Sequence, residues 1–437
     1  MEVKRFCNEL DIEYLLELPE TTQQEIFYVC DKLKDKYILA KFFCDFLKLK
    51  EKKYIKDTIS FSLRLDTEIF NVQKYHVLKL EQRLKDTKSQ LDALYENKKY
   101  SSFINIFDQF KMLIRMNKEQ NLFNTPPNTF TNAWLKCWEM INNYNLLPDK
   151  ELTVFCNAEF PGAFIFAINH YIKTKIKKPY QWYANSLWQG DKKGILGDQF
   201  SLYKRYKNNW LMNDKRNGDV TNHAIRYYIK RVLKDKVDLY TSDIGVALDI
   251  STYNLQEEIQ TPLNLGQILC ALNTLKNGGH MICKMFMYFK PFNISLLYLL
   301  KSVFKELYIS KPMSSRPENS EVYIIGKYYE KNQDVIDRLE HILSNWDESY
   351  LSTFFVPVST DHYLHICYSL YYIFQRQIDT INKDIELFRK NKGFNSFEDI
   401  LSRDDDETKK ELEDRIDVVD TWLKAFPIDK INYRDQL

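Results

Sequence analysis

Apolar residues recur along this chain with two different periods. Over residues 1–125 they fall at helical spacing, and the turn-rich stretch Asn124–Asn128 closes this first module. Within it Phe70, Val77, Leu80, Leu84, Leu91 and Leu94 take a/d-like positions, interrupted by Gln73 and Thr87. A seam of only about three heptads predicts one long helix packing within the chain rather than a dimeric coiled coil. From 126 to 330 the rhythm changes to short apolar runs rich in β-branched and aromatic residues. These predict strands at 152–158, 180–187, 237–243, 280–286, 306–310 and 322–329. Pro161–Lys173, Thr221–Leu233, Glu257–Lys276 and Phe292–Lys305 read as helices between them. Such alternation predicts an α/β fold with a doubly wound, Rossmann-like sheet, and the short connection before the last strand predicts that this strand runs antiparallel. Residues 331–437 return to helical spacing, clearest from His362 to Phe388 through Ile366, Leu370, Phe374, Ile378, Ile381 and Ile385; the acidic run Arg403–Glu407 reads as a helix start or loop.

Composition narrows the class. A chain of 437 residues that is 44% hydrophobic can fill at least one sizeable core. With 11 glycines and 12 prolines against 15% aromatic residues, it is neither a disordered nor a linker-rich polymer. Eight cysteines are scattered without any CxxC spacing, which points to free thiols in a reducing compartment and away from structural zinc. The acid-broken amino terminus and the lack of a long apolar run predict no signal peptide and no membrane association, hence a cytoplasmic protein. A net charge of +2 carries little information by itself. Locally, Tyr203–Lys236 interleaves Lys and Arg with Tyr and Trp, a composition suited to neutralising phosphates and stacking bases; the plainer reading is a solvated helix face.

The chemistry concentrates in the central segment. In FCNAEFPGAF (155–164) a strand ends in a Pro-Gly turn and a helix begins, leaving backbone room for a small cofactor at the carboxyl end of the sheet. Nothing of the form GxGxxG occurs, which disfavours a dinucleotide. Lys284 sits in an otherwise apolar strand, HMICKMF, where a lysine is costly unless paired and where burial lowers its pKa. The polar turn SSRPENS (314–320) delivers Glu321 to the start of the last strand. His362 and His365 with nearby Cys367 lack a recognisable fourth ligand, and no acidic cluster suggests magnesium, so no metal is expected.

Taken in order, FTNAWLKCWEMI (130–141), FCNAEFPGAF, LYTSDIG (239–245), GGHMICKMF (278–286) and KPMSSRPENSEVYIIGK (311–327) resemble the landmarks of FtsJ/RrmJ-like RNA 2′-O-methyltransferases. That family includes eukaryotic cap methyltransferases and the FtsJ-like proteins of large cytoplasmic DNA viruses of the African swine fever virus type. The resemblance implies S-adenosyl-L-methionine as cofactor, lined by Asn157, Glu159, Pro161, Gly162, Ala163 and Phe164, with Asp219 of the NGD turn meeting the adenine and Asp243 bordering both sites. It implies a Lys-Asp-Lys-Glu tetrad of Lys136, Asp243, Lys284 and Glu321, with Lys284 as base for the ribose hydroxyl and Lys136 holding the ribose or phosphate. Ser314, Ser315, Arg316 and Asn319 are then RNA-binding candidates, Arg316 having the alternative of pinning the loop through a carboxylate. The family usually has Gly where this chain has Ala163.

The implied substrate is RNA, with capped mRNA first and ribosomal or other structured RNA as the alternative, and the cellular setting is the capping or transcription machinery. A reading from another class is a catalytically silent RNA-binding subunit that keeps the fold and joins such a complex through its helical flanks. If the protein is viral, the host cytoplasm or the virion is its place.

Overall fold

The computed structural model describes residues 67–95, 108–188, 197–213, 215–246, 255–390 and 406–437. The helical reading of residues 1–66 and part of the Arg403–Glu407 run lie outside them. Six strands form one sheet: β1 (Leu152–Asn157), β2 (Tyr180–Ala184), β3 (Val237–Ser242), β4 (Leu275–Phe286), β5 (Phe304–Ser310) and β6 (Glu321–Tyr329). Their spatial order is β2-β1-β3-β4-β6-β5. The first four are mutually parallel, and β6 runs antiparallel to both β4 and β5. The antiparallel last strand matches the sequence, but β6 does not take the edge; it inserts between β4 and β5.

Strand order fixes where a site can form. From β1 the chain moves outward to β2, then returns to build β3 and β4 on the other side. The reversal leaves a crevice beyond the carboxyl ends of β1 and β3, the usual ligand position in such sheets.

Side-chain alternation then fixes which face each residue serves, because successive strand residues point to opposite sides. Val154, Cys156, Leu239, Ile282, Tyr323 and Ile325 belong to one buried core. Phe155, Tyr240, Met281, Cys283, Met285, Val322 and Ile324 belong to the other. The first face is covered by α3 (Asn132–Tyr144), α4 (Ala163–Tyr171) and α10 (Asp406–Ala425), with α2 (Gln109–Gln120) beside them. The second is covered by α5 (His223–Leu233), α6 (Gln256–Thr274), α7 (Pro291–Lys301), α8 (Gln333–Ser344) and α9 (Thr360–Lys390). The long α1 (Thr67–Tyr95) lies against α9 and buries Val77, Leu80, Leu84 and Leu91, so its apolar stripe is used inside the chain.

Several boundaries differ from the pattern: β2 ends at Ala184 rather than 187, β4 opens at Leu275 rather than 280, α4 spans Ala163–Tyr171 within the reading Pro161–Lys173, and two further helices stop early. Helix α6 stops at Thr274, because Asn277-Gly278-Gly279 cannot continue it, Gly278 having a φ of +82°, and Leu275 already pairs with Val237. Helix α7 ends at Lys301 rather than 305, since Phe304 pairs with Tyr329 as β5 opens. Among the described residues no helix is long and apolar enough to cross a membrane.

Candidate active site

Alternation brings the tetrad to one place. Lys284 shares a strand face with Ile282, while Glu321 shares one with Tyr323 and Ile325, and all of these face α3. Asp243, just past β3, continues the face of Leu239. Helix α3 is capped by Thr131, whose hydroxyl accepts from the Trp134 amide at 3.3 Å, and it is buried continuously from Trp134 to Ile141. Lys136 is therefore pressed against the sheet and buried.

Two ion pairs result. Lys136 Nζ lies 2.8 Å from Glu321 Oε1, and Lys284 Nζ lies 3.1 Å from Asp243 Oδ1. The hydroxyl of Tyr323 donates to the same Asp243 oxygen at 2.7 Å, and Ser315 Oγ donates to Glu321 Oε1 at 2.7 Å. Burial by itself would raise the Glu321 pKa, but Lys136, Lys284 and Lys311 together hold it down at about 2. For Lys136, burial works toward a lower pKa, yet the Glu321 and Asp243 carboxylates outweigh it and the net shift is upward. Lys136 is thus a fixed cation and Glu321 a fixed anion over the working pH range. Burial moves Lys311 the other way, down to about 8, despite Glu321 nearby; its Nζ donates to the Asn319 and Glu321 carbonyls.

The Pro-Gly turn abuts this centre. Phe164 stands with its ring 6.4 Å from that of Tyr323. Glu159 Oε1 accepts from the Ile165 amide at 3.0 Å inside the first turn of α4, and burial keeps its pKa well above the usual carboxylate range. Gly162 has a φ of +119°, and a Cβ there would come within 2.2 Å of Leu202 Cδ1. Gly162→Ala is expected to cost about 1–3 kcal/mol from backbone strain, read as a lower midpoint in urea unfolding. Ala163 and Phe164 are buried at the start of α4, and Pro161 is half-buried beside them.

On the opposite sheet face Asn157 Nδ2 donates to Ser242 Oγ at 3.3 Å, and Asn157 Oδ1 accepts from Asn185 Nδ2 at 2.8 Å. Asn185 Nδ2 also reaches the Gly218 carbonyl at 2.9 Å, so the turns after β1, after β2 and at Gly218-Asp219 form one net. Asn185 is 1% exposed, and its Oδ1 has no partner among the described residues. Asp219 accepts from the Thr221 amide and hydroxyl at 2.9 and 2.7 Å, which makes it a turn-fixing residue at the rim of that net.

The four residues of the polar turn separate. Ser314 is buried and donates to Glu139 at 2.7 Å, while Ser315 is buried on Glu321. Arg316 Nε pairs with Asp108 at 2.9 Å, the pinning contact, yet its side chain keeps 43% of its surface exposed. Asn319 shapes the turn, accepting from the Glu321 amide at 3.2 Å. The basic segment also divides: Arg226 is buried on Glu340 and the Val220 and Thr221 carbonyls, Trp210 stacks on Phe160 at 4.7 Å, and Tyr227 and Arg231 remain exposed. His362 packs against Tyr298 at 4.9 Å, and among the described residues no group of three or more His, Cys, Asp or Glu is placed to hold a metal.

Reading the sequence missed Glu139, Asn185 and Tyr323. Each had a local signal: an acid one helical turn from Lys136, a polar residue ending a buried strand, and a hydroxyl two residues beyond Glu321, hence on the same strand face.

Comparison with known proteins assigns the family. A model described as FtsJ-like methyltransferase matches residues 130–329, the segment that carries Lys136, Asp243, Lys284 and Glu321. A protein named "Probable methyltransferase" from African swine fever virus is 34% identical over 327 residues, 70% of this chain and 74% of that protein. The chain belongs to the FtsJ-like methyltransferase family. The counterpart from a second isolate of that virus is 37% identical over 263 residues, covering 56% of this chain and 60% of its own length. The cap-specific mRNA (nucleoside-2′-O-)-methyltransferase 2 of Drosophila melanogaster is 32% identical over 221 residues, 48% of this chain and 31% of that protein. In this FtsJ-like chain the match begins at Phe130, one residue before the cap of the helix that carries Lys136.

Proposed function

We propose that this FtsJ-like methyltransferase transfers a methyl group from S-adenosyl-L-methionine to the ribose 2′ oxygen of RNA, on the first transcribed nucleotides of capped mRNA. The supporting observation is the pairing of Lys136 with Glu321 and Lys284 with Asp243 on one sheet face, at the crevice beyond β1 and β3. The cap preference leans on the cap-specific relatives, and catalysis is assigned to residues 126–330 between the helical flanks 1–125 and 331–437.

The residues at the crevice fit the cofactor. Asn185 Oδ1 is a buried acceptor in need of a donor such as an adenosine hydroxyl or amine, and the Asn185 carbonyl accepts from the Glu159 amide at 3.2 Å, which sets it against the Pro-Gly turn. Asn157, Glu159, Pro161, Gly162, Ala163 and Phe164 line one side, Asn185 and Asp219 the other, and Asp243 borders both. When bound, the cofactor supplies an electrophilic sulfonium methyl.

The protein's own groups position the nucleophile and take its proton. Lys284 Nζ, after losing its own proton to solvent, accepts the proton of the attacking 2′ hydroxyl, and Asp243, itself fixed by Tyr323, sets where that nitrogen stands. Lys136 is locked in its charged form by Glu321, which suits it to hold the ribose or an adjacent phosphate rather than to act as base. Arg316 and Asn319 meet the RNA from the outer side of the polar turn, Arg316 by exchanging Asp108 for a phosphate, while Ser314 and Ser315 support the turn from beneath.

Transfer of labelled methyl to short RNAs with and without a methylated guanosine cap tests the reading. Cap-dependent label at the 2′ oxygen is the expected result. Equal labelling of uncapped RNA moves the substrate to structured RNA, and no labelling together with no cofactor binding leaves a silent RNA-binding subunit of a capping or transcription complex.

A further inference from the structure

The polar turn Lys311–Ser320 carries Ser315 to Glu321, yet the turn itself hangs on a residue outside it. Glu139 lies one helical turn beyond Lys136 on α3 and is 6% exposed. Its carboxylate takes four donors: the Met313 amide at 2.7 Å, the Ser314 amide at 3.0 Å, Ser314 Oγ at 2.7 Å and Trp422 Nε1 at 2.8 Å. Trp422 belongs to α10, in the carboxyl-terminal region, and is fully buried with Phe110 and Phe426 around it. A second brace comes from α9, where Gln377 Nε2 donates to the Glu318 carbonyl at 2.6 Å and bonds Ser320 Oγ at 3.0 Å. One carboxylate therefore joins the helix of Lys136, the turn that delivers Glu321 and a helix beyond the family match.

We propose that Glu139 is a positioning residue for methyl transfer, holding the polar turn so that Glu321 and Ser315 keep Lys136 in place, with the carboxyl-terminal helix α10 as part of that support through Trp422. This rests on the ribose-methylation reading. The physical reason is the acceptor-only character of the carboxylate: Oε2 accepts three hydrogen bonds and Oε1 one, from donors on two separate segments. Replacing it with glutamine turns one arm into a donor facing other donors, so the turn must shift while the apolar packing of α3 stays.

The test is Glu139→Gln in the full chain. Expected is a kcat for methyl transfer lower by roughly 10- to 100-fold, the scale of a small misplacement near the reacting groups, with the dissociation constant for S-adenosylmethionine unchanged. Hydrogen exchange supplies a readout independent of activity: amides of 311–321 should exchange faster in the variant, those of β4 should not. Trp422→Phe, which removes one donor and keeps the ring, should show the same split at smaller size and serves if Glu139→Gln fails to fold. A folded Glu139→Gln with wild-type kcat and wild-type exchange over 311–321 overturns the proposal, as does a loss spread equally over cofactor binding, β4 exchange and turnover. A wild-type protein that labels no RNA sinks the ribose reading instead, and the exchange comparison still decides whether Glu139 holds the turn.

Discussion

Lys284→Ala is expected to give a folded protein that binds S-adenosylmethionine and is severely slowed in methyl transfer to RNA. The expected fall in kcat is about 10²–10⁴-fold, the range for removing a positioned base. The fold survives because Lys284 Nζ is bound to Asp243, whose side chain is 20% exposed and keeps the Tyr323 hydroxyl as donor after the lysine is gone. Alanine also costs little packing here, since the β4 backbone remains paired with Tyr323 on β6. Cofactor binding measured by calorimetry, together with single-turnover labelling, separates loss of chemistry from loss of structure. Retained transfer near the wild-type rate would remove Lys284 from the role of base.

Glu321→Gln has the larger effect on stability. Breaking a buried ion pair by removing one partner costs about 3–5 kcal/mol, because the remaining charge, here Lys136, stays desolvated. The same pair sets an acid dependence. Folded Glu321 sits at about 2, whereas an unfolded glutamate titrates at about 4.3. A depressed folded pKa contributes stability that is full above the unfolded value and lost as pH falls through the folded one. Over roughly two pH units this amounts to about 3 kcal/mol, a figure that also contains the raised pKa of Lys136 because the two share one interaction. Urea unfolding from pH 6 down to pH 2 should show the wild-type protein losing stability steeply below about pH 4.3, and Glu321→Gln losing less over that interval. Parallel curves for the two proteins would show that the pair contributes nothing to the acid limb.

Much of this fold could be read before any coordinates, and the reasons are local. Short apolar runs, VYIIGKYY and HMICKMF, marked the strands, and the alternation of side chains along a strand carries Lys284 and Glu321 to the face of α3. The Pro-Gly turn marked the end of β1. Sequence could not place β6, because insertion between β4 and β5 is a decision of pairing between segments about 40 residues apart and leaves no trace in either one. The same holds for Glu139. Its spacing from Lys136 was visible, but its partners Met313, Ser314 and Trp422 come from distant stretches. Arg316 and Ser314 show the converse: both are polar residues in one short motif, and only burial separates the one spent inside from the one half-open to solvent.

The position of β6 bears on how the chain is made. Of the six strands in the sheet it leaves the ribosome last, yet it fills an interior slot rather than extending an edge. Until residue 329 emerges, β4 and β5 are separated by an unfilled gap, each presenting unpaired backbone groups toward the other. A nascent chain stopped before Glu321 therefore lacks both the partner of Lys136 and the strand that shields those groups. Completion of the sheet and arrival of Glu321 at Lys136 are one event in biosynthesis, so a partly made copy carries open strand edges for as long as its site is incomplete.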